Sequence, residues 1–157
     1  WHRQWYIKTP LKPYILSPHP FRKNILFFFT YEGEMVQVSP ELATCSPKVD
    51  TIFYYGSSFK FLDFIYPWAS NVVAIDEFKN LWVIDSESGE QVSRSPLEVD
   101  GEVLYLISSL DYPLITFTTS AGELCLLSVY NSKEPSILCK YKFEIKTLDF
   151  LKYSQCG

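Results

Sequence analysis

The sequence predicts an all-β protein built from repeated four-stranded antiparallel units, and three observations predict it. Three stretches follow one pattern: Gly33-Glu34-Met35-Val36-Gln37-Val38-Ser39, Lys79-Asn80-Leu81-Trp82-Val83-Ile84-Asp85 and Gly122-Glu123-Leu124-Cys125-Leu126-Leu127-Ser128, beginning 46 and then 43 residues apart. A period in the low forties is the signature of a β-propeller, one four-stranded blade per repeat. Composition agrees. Of 157 residues, 47% are hydrophobic and 17% aromatic, and rings and β-branched side chains suit a pleated, half-buried surface. Ten scattered prolines argue against long helices.

Each repeated stretch reads as the third strand, c, of a blade. A second strand, b, precedes each: Asn24–Thr30, Asn71–Asp76 and Pro113–Thr119. A short polar turn joins b to c, as in an antiparallel hairpin. Before each b lies an inner strand, a, closed by a proline-containing turn: Tyr14–Leu16 before Ser17-Pro18-His19-Pro20, Phe61–Ile65 before Tyr66-Pro67, and Val103–Ile107 before Asp111-Tyr112-Pro113. Outer strands, d, are expected at Thr51–Tyr55, Gln91–Ser95 and Ser136–Phe143. Lys60-Phe61-Leu62-Asp63-Phe64 recurs as Lys146-Thr147-Leu148-Asp149-Phe150, 86 residues or two periods later. The expected division is three complete blades at about 13–55, 60–96 and 102–143, with partial units at 1–8 and 146–157. Three blades do not close a ring of the usual four to eight. With Trp1 rather than Met at the start, the expectation is that the remaining blades lie elsewhere in a longer chain or are supplied by a partner.

Charge and composition narrow the function classes. A net charge of −4 without a basic stripe argues against nucleic acid as the partner. No apolar run reaches the ~18 residues of a membrane span. Cys45, Cys125, Cys139 and Cys156 show no CxxC pairing, which fits an intracellular, reducing setting. A cytoplasmic location is the expectation, with a cilium, the cytoskeleton or the nucleus as alternatives.

Asn80-Leu81-Trp82-Val83-Ile84-Asp85-Ser86-Glu87-Ser88-Gly89-Glu90 resembles the end of a WD40 repeat, with Asp85 matching the family's Asp and Ile84 standing where its Trp would be. Tyr14-Ile15-Leu16-Ser17-Pro18 resembles the family's a-strand running into a Ser-Pro turn. The resemblance implies a divergent WD40-like propeller acting as a scaffold, of the kind found in cilia- and flagella-associated proteins and other large assemblies. No Gly-His pair precedes an a-strand, and no Trp-Asp dipeptide is intact. In the family, buried His, Ser/Thr, Asp and Trp form a hydrogen-bonded network across a blade. His2 and His19 are misplaced for it, so these blades are expected to be held mainly by apolar packing and ladder hydrogen bonds.

No constellation of catalytic residues emerges. His19, between two prolines, reads as a solvated turn histidine rather than part of a Ser-His-Asp triad. Cys125 and Cys139 fall on neighbouring strands and read as buried free thiols rather than zinc ligands. Asp63 and Asp149 repeat one position two blades apart, too far for a carboxylate pair, and read as polar contacts on inner strands. The six glycines are dispersed and form no phosphate loop. No catalytic group, cofactor or metal is therefore expected.

The remaining signal is a surface. Phe21, Trp68 and Tyr112 recur in the three a–b connections, on one face of the disk. Large rings there are expected to fold back over the packing between blades; the alternative is an interface. Phe78, flanked by Asp76, Glu77 and Lys79 in a b–c turn on the opposite face, is expected to be exposed, as interface hot spots often are. The function expected is a non-catalytic protein–protein interaction platform within a larger complex. Alternatives are the substrate-receptor propeller of an F-box/WD-type ubiquitin ligase and, more remotely, a propeller enzyme.

Overall fold

A computed structural model describes residues 13–22, 25–41, 46–67 and 70–143. The expected partial units at 1–8 and 146–157 lie outside these residues, as do Trp68, Cys45, Cys156 and Asp149. All regular secondary structure among the described residues is β, in three four-stranded antiparallel sheets. The first contains β1 (Pro13–Pro18), β2 (Leu26–Thr30), β3 (Glu34–Glu41) and β4 (Ser46–Tyr54). The second contains β5 (Phe59–Phe64), β6 (Asn71–Asp76), β7 (Asn80–Asp85) and β8 (Gln91–Pro96). The third contains β9 (Val103–Ser108), β10 (Leu114–Thr119), β11 (Glu123–Ser128) and β12 (Ser136–Lys142). Within each sheet the strands lie side by side in sequence order, and the inner strands β1, β5 and β9 neighbour one another in turn. These are propeller blades.

Two of the boundaries that differ from the sequence expectation do so through proline. Ser17 and Pro18 belong to β1 rather than to the following turn. β1 is the edge strand of its sheet, so a terminal proline costs no interior ladder bond. β4 begins at Ser46, five residues earlier than expected, because β3 continues through Pro40, which lies opposite Pro47. β3 pairs with β2 only up to Val38. Pro40 therefore sits where a missing N–H interrupts no second ladder.

Strand alternation sends side chains to both faces of each sheet, and in the middle blade both faces are buried. Val72 and Ala74 face the first blade, while Val73 and Ile75 face the third. The interface between the first two blades is aromatic. Phe29 stacks on Phe59 with ring centroids 4.4 Å apart, Phe27 meets Phe64 edge-on at 5.6 Å, and Tyr55 stands edge-on to Phe59 and Trp82. The interface between the second and third blades is aliphatic, joining Val73, Ile75, Leu81 and Val83 to Ile115, Phe117, Cys125 and Leu127. Each fully buried large apolar side chain contributes on the order of 1.5–3 kcal/mol.

Candidate functional site

The three b–c turns share one construction. In each, an N–H donates back to the carbonyl three residues earlier: Gly33 to Thr30 at 3.1 Å, Lys79 to Asp76 at 3.1 Å and Gly122 to Thr119 at 3.0 Å. The donor residue has a positive φ each time, +83° at Gly33, +62° at Lys79 and +79° at Gly122. The last residue of each b-strand is buried and caps the returning strand. Thr30 Oγ1 accepts from Glu34 N at 3.1 Å, Asp76 Oδ1 from Asn80 N at 2.8 Å, and Thr119 Oγ1 from Glu123 N at 3.4 Å. This is a three-residue hairpin loop whose left-handed fourth position ordinarily takes glycine. In the middle blade, lysine occupies it.

Asp76 does more than cap. It is 1% exposed, yet it accepts from Phe78 N at 2.9 Å, Asn80 Nδ2 at 2.8 Å and Trp82 Nε1 at 2.9 Å. Arg94 Nη2 lies 3.3 Å from Oδ2, and its guanidinium sits over the Trp82 ring, 4.4 Å from the centroid. Burial by itself would raise the carboxyl's pKa. Hydrogen bonds from the Asn80 and Trp82 side chains and from the Asn80 and Phe78 backbones outweigh it and hold the pKa below the usual range. Beside the apolar packing and ladders expected to be the main hold on the blades, the middle blade thus has a buried polar network. The signal was present as an acid ending one strand with Asn and Trp four and six residues on.

Phe78 projects from this braced turn and is 69% exposed. Glu77 beside it is also exposed, and its N–H donates to Ser58 O at 3.1 Å, tying the turn to the connection entering the blade. Lys79 is half-buried, with Nζ 3.5 Å from Val99 O. In antiparallel blades, a–b connections lie at the opposite end from b–c turns. Phe21 and Tyr112, on a–b connections, are 60% and 63% exposed. They do not fold back over the packing between blades, as the sequence reading expected. Phe21 and Tyr66 meet edge-to-face, 6.1 Å between centroids, and neither Phe21 nor Tyr112 belongs to the buried apolar layers. Phe78 thus lies at the opposite end of the blades from Phe21 and Tyr112, and the five described candidate residues do not form one patch.

Three chemical readings are refined. His19 is half-buried rather than a free turn histidine: its ring packs 5.0 Å from Phe64, and Nδ1 accepts from Phe21 N at 3.2 Å and Arg22 N at 3.0 Å. Burial and the nearby Arg22 charge lower its pKa. Cys125 is buried, and burial pushes its thiol up to about 11. Cys139 is exposed instead of buried, because it lies opposite Leu126, on the sheet face that turns away from the middle blade. Asp63 makes the expected inner-strand contact: Oδ2 accepts from Ser108 N of the third blade at 2.9 Å and Oδ1 from Phe64 N at 2.8 Å. Desolvation still raises its pKa despite these bonds. Among the described residues, no three His, Cys, Asp or Glu side chains are grouped to hold a metal ion. Among the described residues there is no helix long and apolar enough to cross a membrane.

No protein-family model matches the sequence, and no curated protein matches it. Solved structures do match the fold. The β-propeller domain of Cps50 (Swd1) from Myceliophteria thermophila aligns with a TM-score of 0.70 and 10% identity over 87% of this chain and 47% of that one. The WD40 repeats of RRP9 align at 0.67 with 10% identity, covering 89% and 41%. Sqt1 of Saccharomyces cerevisiae aligns at 0.66 with 15% identity, covering 88% and 37%. The chain spans less than half the length of each of these three. With three consecutive four-stranded blades, one shared b–c turn and these neighbours, the chain has the fold of a WD40-like β-propeller.

Proposed function

We propose that this chain is a non-catalytic protein-interaction platform, a scaffold segment of a larger assembly whose partner contacts centre on Phe78 with Glu77 and Lys79. The observation that carries the reading is the pairing of a braced turn with an exposed ring. The buried Asp76 carboxylate holds the turn by its backbone, while Phe78 stays largely in solvent. A ring carried on a backbone fixed before binding leaves less conformational entropy to be lost on docking, and aromatic anchors of this kind dominate interface energies. The half-buried Asp63 and the buried Asp76 are occupied by structural hydrogen bonds, which supports a binding role over a chemical one.

The test is a photo-crosslinking amino acid at position 78 together with Phe78→Ala. Crosslinking should yield discrete protein adducts, and the alanine variant should lose their capture with its unfolding midpoint unchanged. Full capture by Phe78→Ala, or a midpoint loss showing the ring to be core, would remove the reading.

A further inference from the structure

The turn that carries Phe78 has an aromatic neighbour. Tyr31 stands in the b–c turn of the first blade and is 55% exposed. Ser58, at the entry to the middle blade, joins the two turns. Its Oγ donates to Tyr31 O at 2.9 Å, and its carbonyl accepts from Glu77 N, the residue before Phe78, at 3.1 Å. Gly33, which closes the Tyr31 turn, packs so closely on Ser57 that a Cβ would strike its backbone. Tyr31 and Phe78 are therefore carried by turns fixed to one connection. The third blade repeats the brace, with Ser120 N donating to Glu102 O at 2.8 Å. Its turn, however, is Ser120-Ala121 and offers no ring. The aromatic pair belongs to the first two blades.

Charge decides what such a pair can take. Glu32 follows Tyr31 and Glu77 precedes Phe78, and both are exposed. Asp100 and Glu102, also exposed, come to the same end of the blades on the connection between β8 and β9. Lys79 holds that connection twice: its carbonyl accepts from Leu97 N at 2.9 Å, and its Nζ lies 3.5 Å from Val99 O. This brings Asp100 beside the Phe78 turn. Lys60 is taken up by Glu102 in an ion pair at 2.8 Å. Around the two rings, among the described residues, these carboxylates outnumber the cations Lys60 and Lys79. A cation is attracted over the face of an aromatic ring. Carboxylates beside the ring steer cationic partners in and turn acidic ones away.

Resting on the reading of Phe78 as the centre of partner contact, we propose that the Tyr31–Phe78 face takes a basic, arginine-bearing segment of a partner protein. A guanidinium stacks on a ring, and Glu32, Glu77 and Asp100 answer the charges on and beside it. Arginine suits the place better than lysine, because a planar guanidinium keeps its stacking on a ring while its N–H edge reaches a carboxylate.

Fluorescence anisotropy of the whole 157-residue chain with short labelled peptides tests this. A peptide of arginine, glycine and serine should bind, and one of equal length with glutamate for arginine should not. Raising the salt from about 0.05 to 0.3 M should weaken the arginine peptide's binding. Glu32→Lys with Glu77→Lys should weaken it about tenfold or more. The same reversal at the other end of the blades, Asp111→Lys with Glu134→Lys, should change it by no more than about twofold. No binding of the arginine peptide, or equal loss from the two reversals, would overturn the proposal. Either result leaves Phe78 as the contact centre, which crosslinking at position 78 tests separately. Binding of the arginine peptide that survives Phe78→Ala unchanged would overturn the proposal and count against that centre as well.

Discussion

The indole N–H of Trp82 donates to Oδ2 of Asp76 at 2.9 Å, joining the third strand of the middle blade to the end of its second. The same carboxylate holds the turn between those strands. One buried charge thus fixes a ring inside the blade and a backbone at its surface. The first and third blades have threonine at this place, Thr30 and Thr119, which keeps the cap alone.

Asp76→Ala should therefore cost about 3 kcal/mol, since it strands several buried donors and the Arg94 charge. Asp76→Thr, which restores the cap found in the other blades, should cost less than half of that. Urea unfolding followed by Trp fluorescence would rank the two. Equal losses would show that the side-chain bonds to Trp82 and Asn80, and not the cap, are what the carboxylate supplies.

Lys79 holds a positive φ that its two counterparts meet with glycine. Lys79→Gly should relieve that strain and raise stability by up to about 1 kcal/mol, less the weak contact of its Nζ with Val99 O. A thermal melt would show an upward shift; a clear decrease would mean that the lysine contact outweighs the backbone.

Gly33 cannot accept the reverse change. A Cβ there would lie 2.4 Å from Ser57 O and 2.9 Å from Ser57 N, both backbone atoms. With φ at +83° as well, Gly33→Ala should destabilise by about 2 kcal/mol or more. Calorimetry would measure it directly.

Acid should weaken the fold in two stages. His19 has a lowered pKa, so the unfolded chain binds the proton more tightly, and stability falls as pH drops below about 6.5. Protonation also removes the Nδ1 acceptor used by Phe21 and Arg22. Asp76 has a lowered pKa, so its contribution is complete above about pH 4 and disappears as pH falls through the lowered value. Asp63, raised by desolvation, acts in the opposite sense: its contribution declines as pH rises from the ordinary carboxylate range through its raised value. Urea midpoints across pH would resolve the stages, and His19→Ala should flatten the upper one.

Asp63 bridges two blades through Ser108 N. Asp63→Ala should leave that N–H without its partner and cost about 1–3 kcal/mol. Hydrogen exchange at Ser108 should quicken more than at the amides of β11. Uniform quickening would instead mean that the bridge matters only through global stability.

Much of this architecture was written in the chain. The shared turn explains why the three repeats align at Gly33, Lys79 and Gly122: that position must turn left-handed, and the strand after it must alternate. The periodicity therefore fixed the b and c strands to within two residues, and the exposure of Phe78 followed from its polar neighbours. Of the outer strands only β4 was read poorly, since it gains its extra length from pairing with β3 beyond Val38 and not from a local pattern. Asp76 looked like one more surface charge beside Phe78. Its burial depends on Trp82 and Arg94 arriving from two further strands, and His19 likewise gains its packing from Phe64 of the next blade. Local alternation and turn chemistry act within a few residues, so the sequence by itself determined the blades and their turns. Which polar groups are buried, which rings stay in solvent and how the blades lock together depend on contacts between distant segments, and only the tertiary structure decided those.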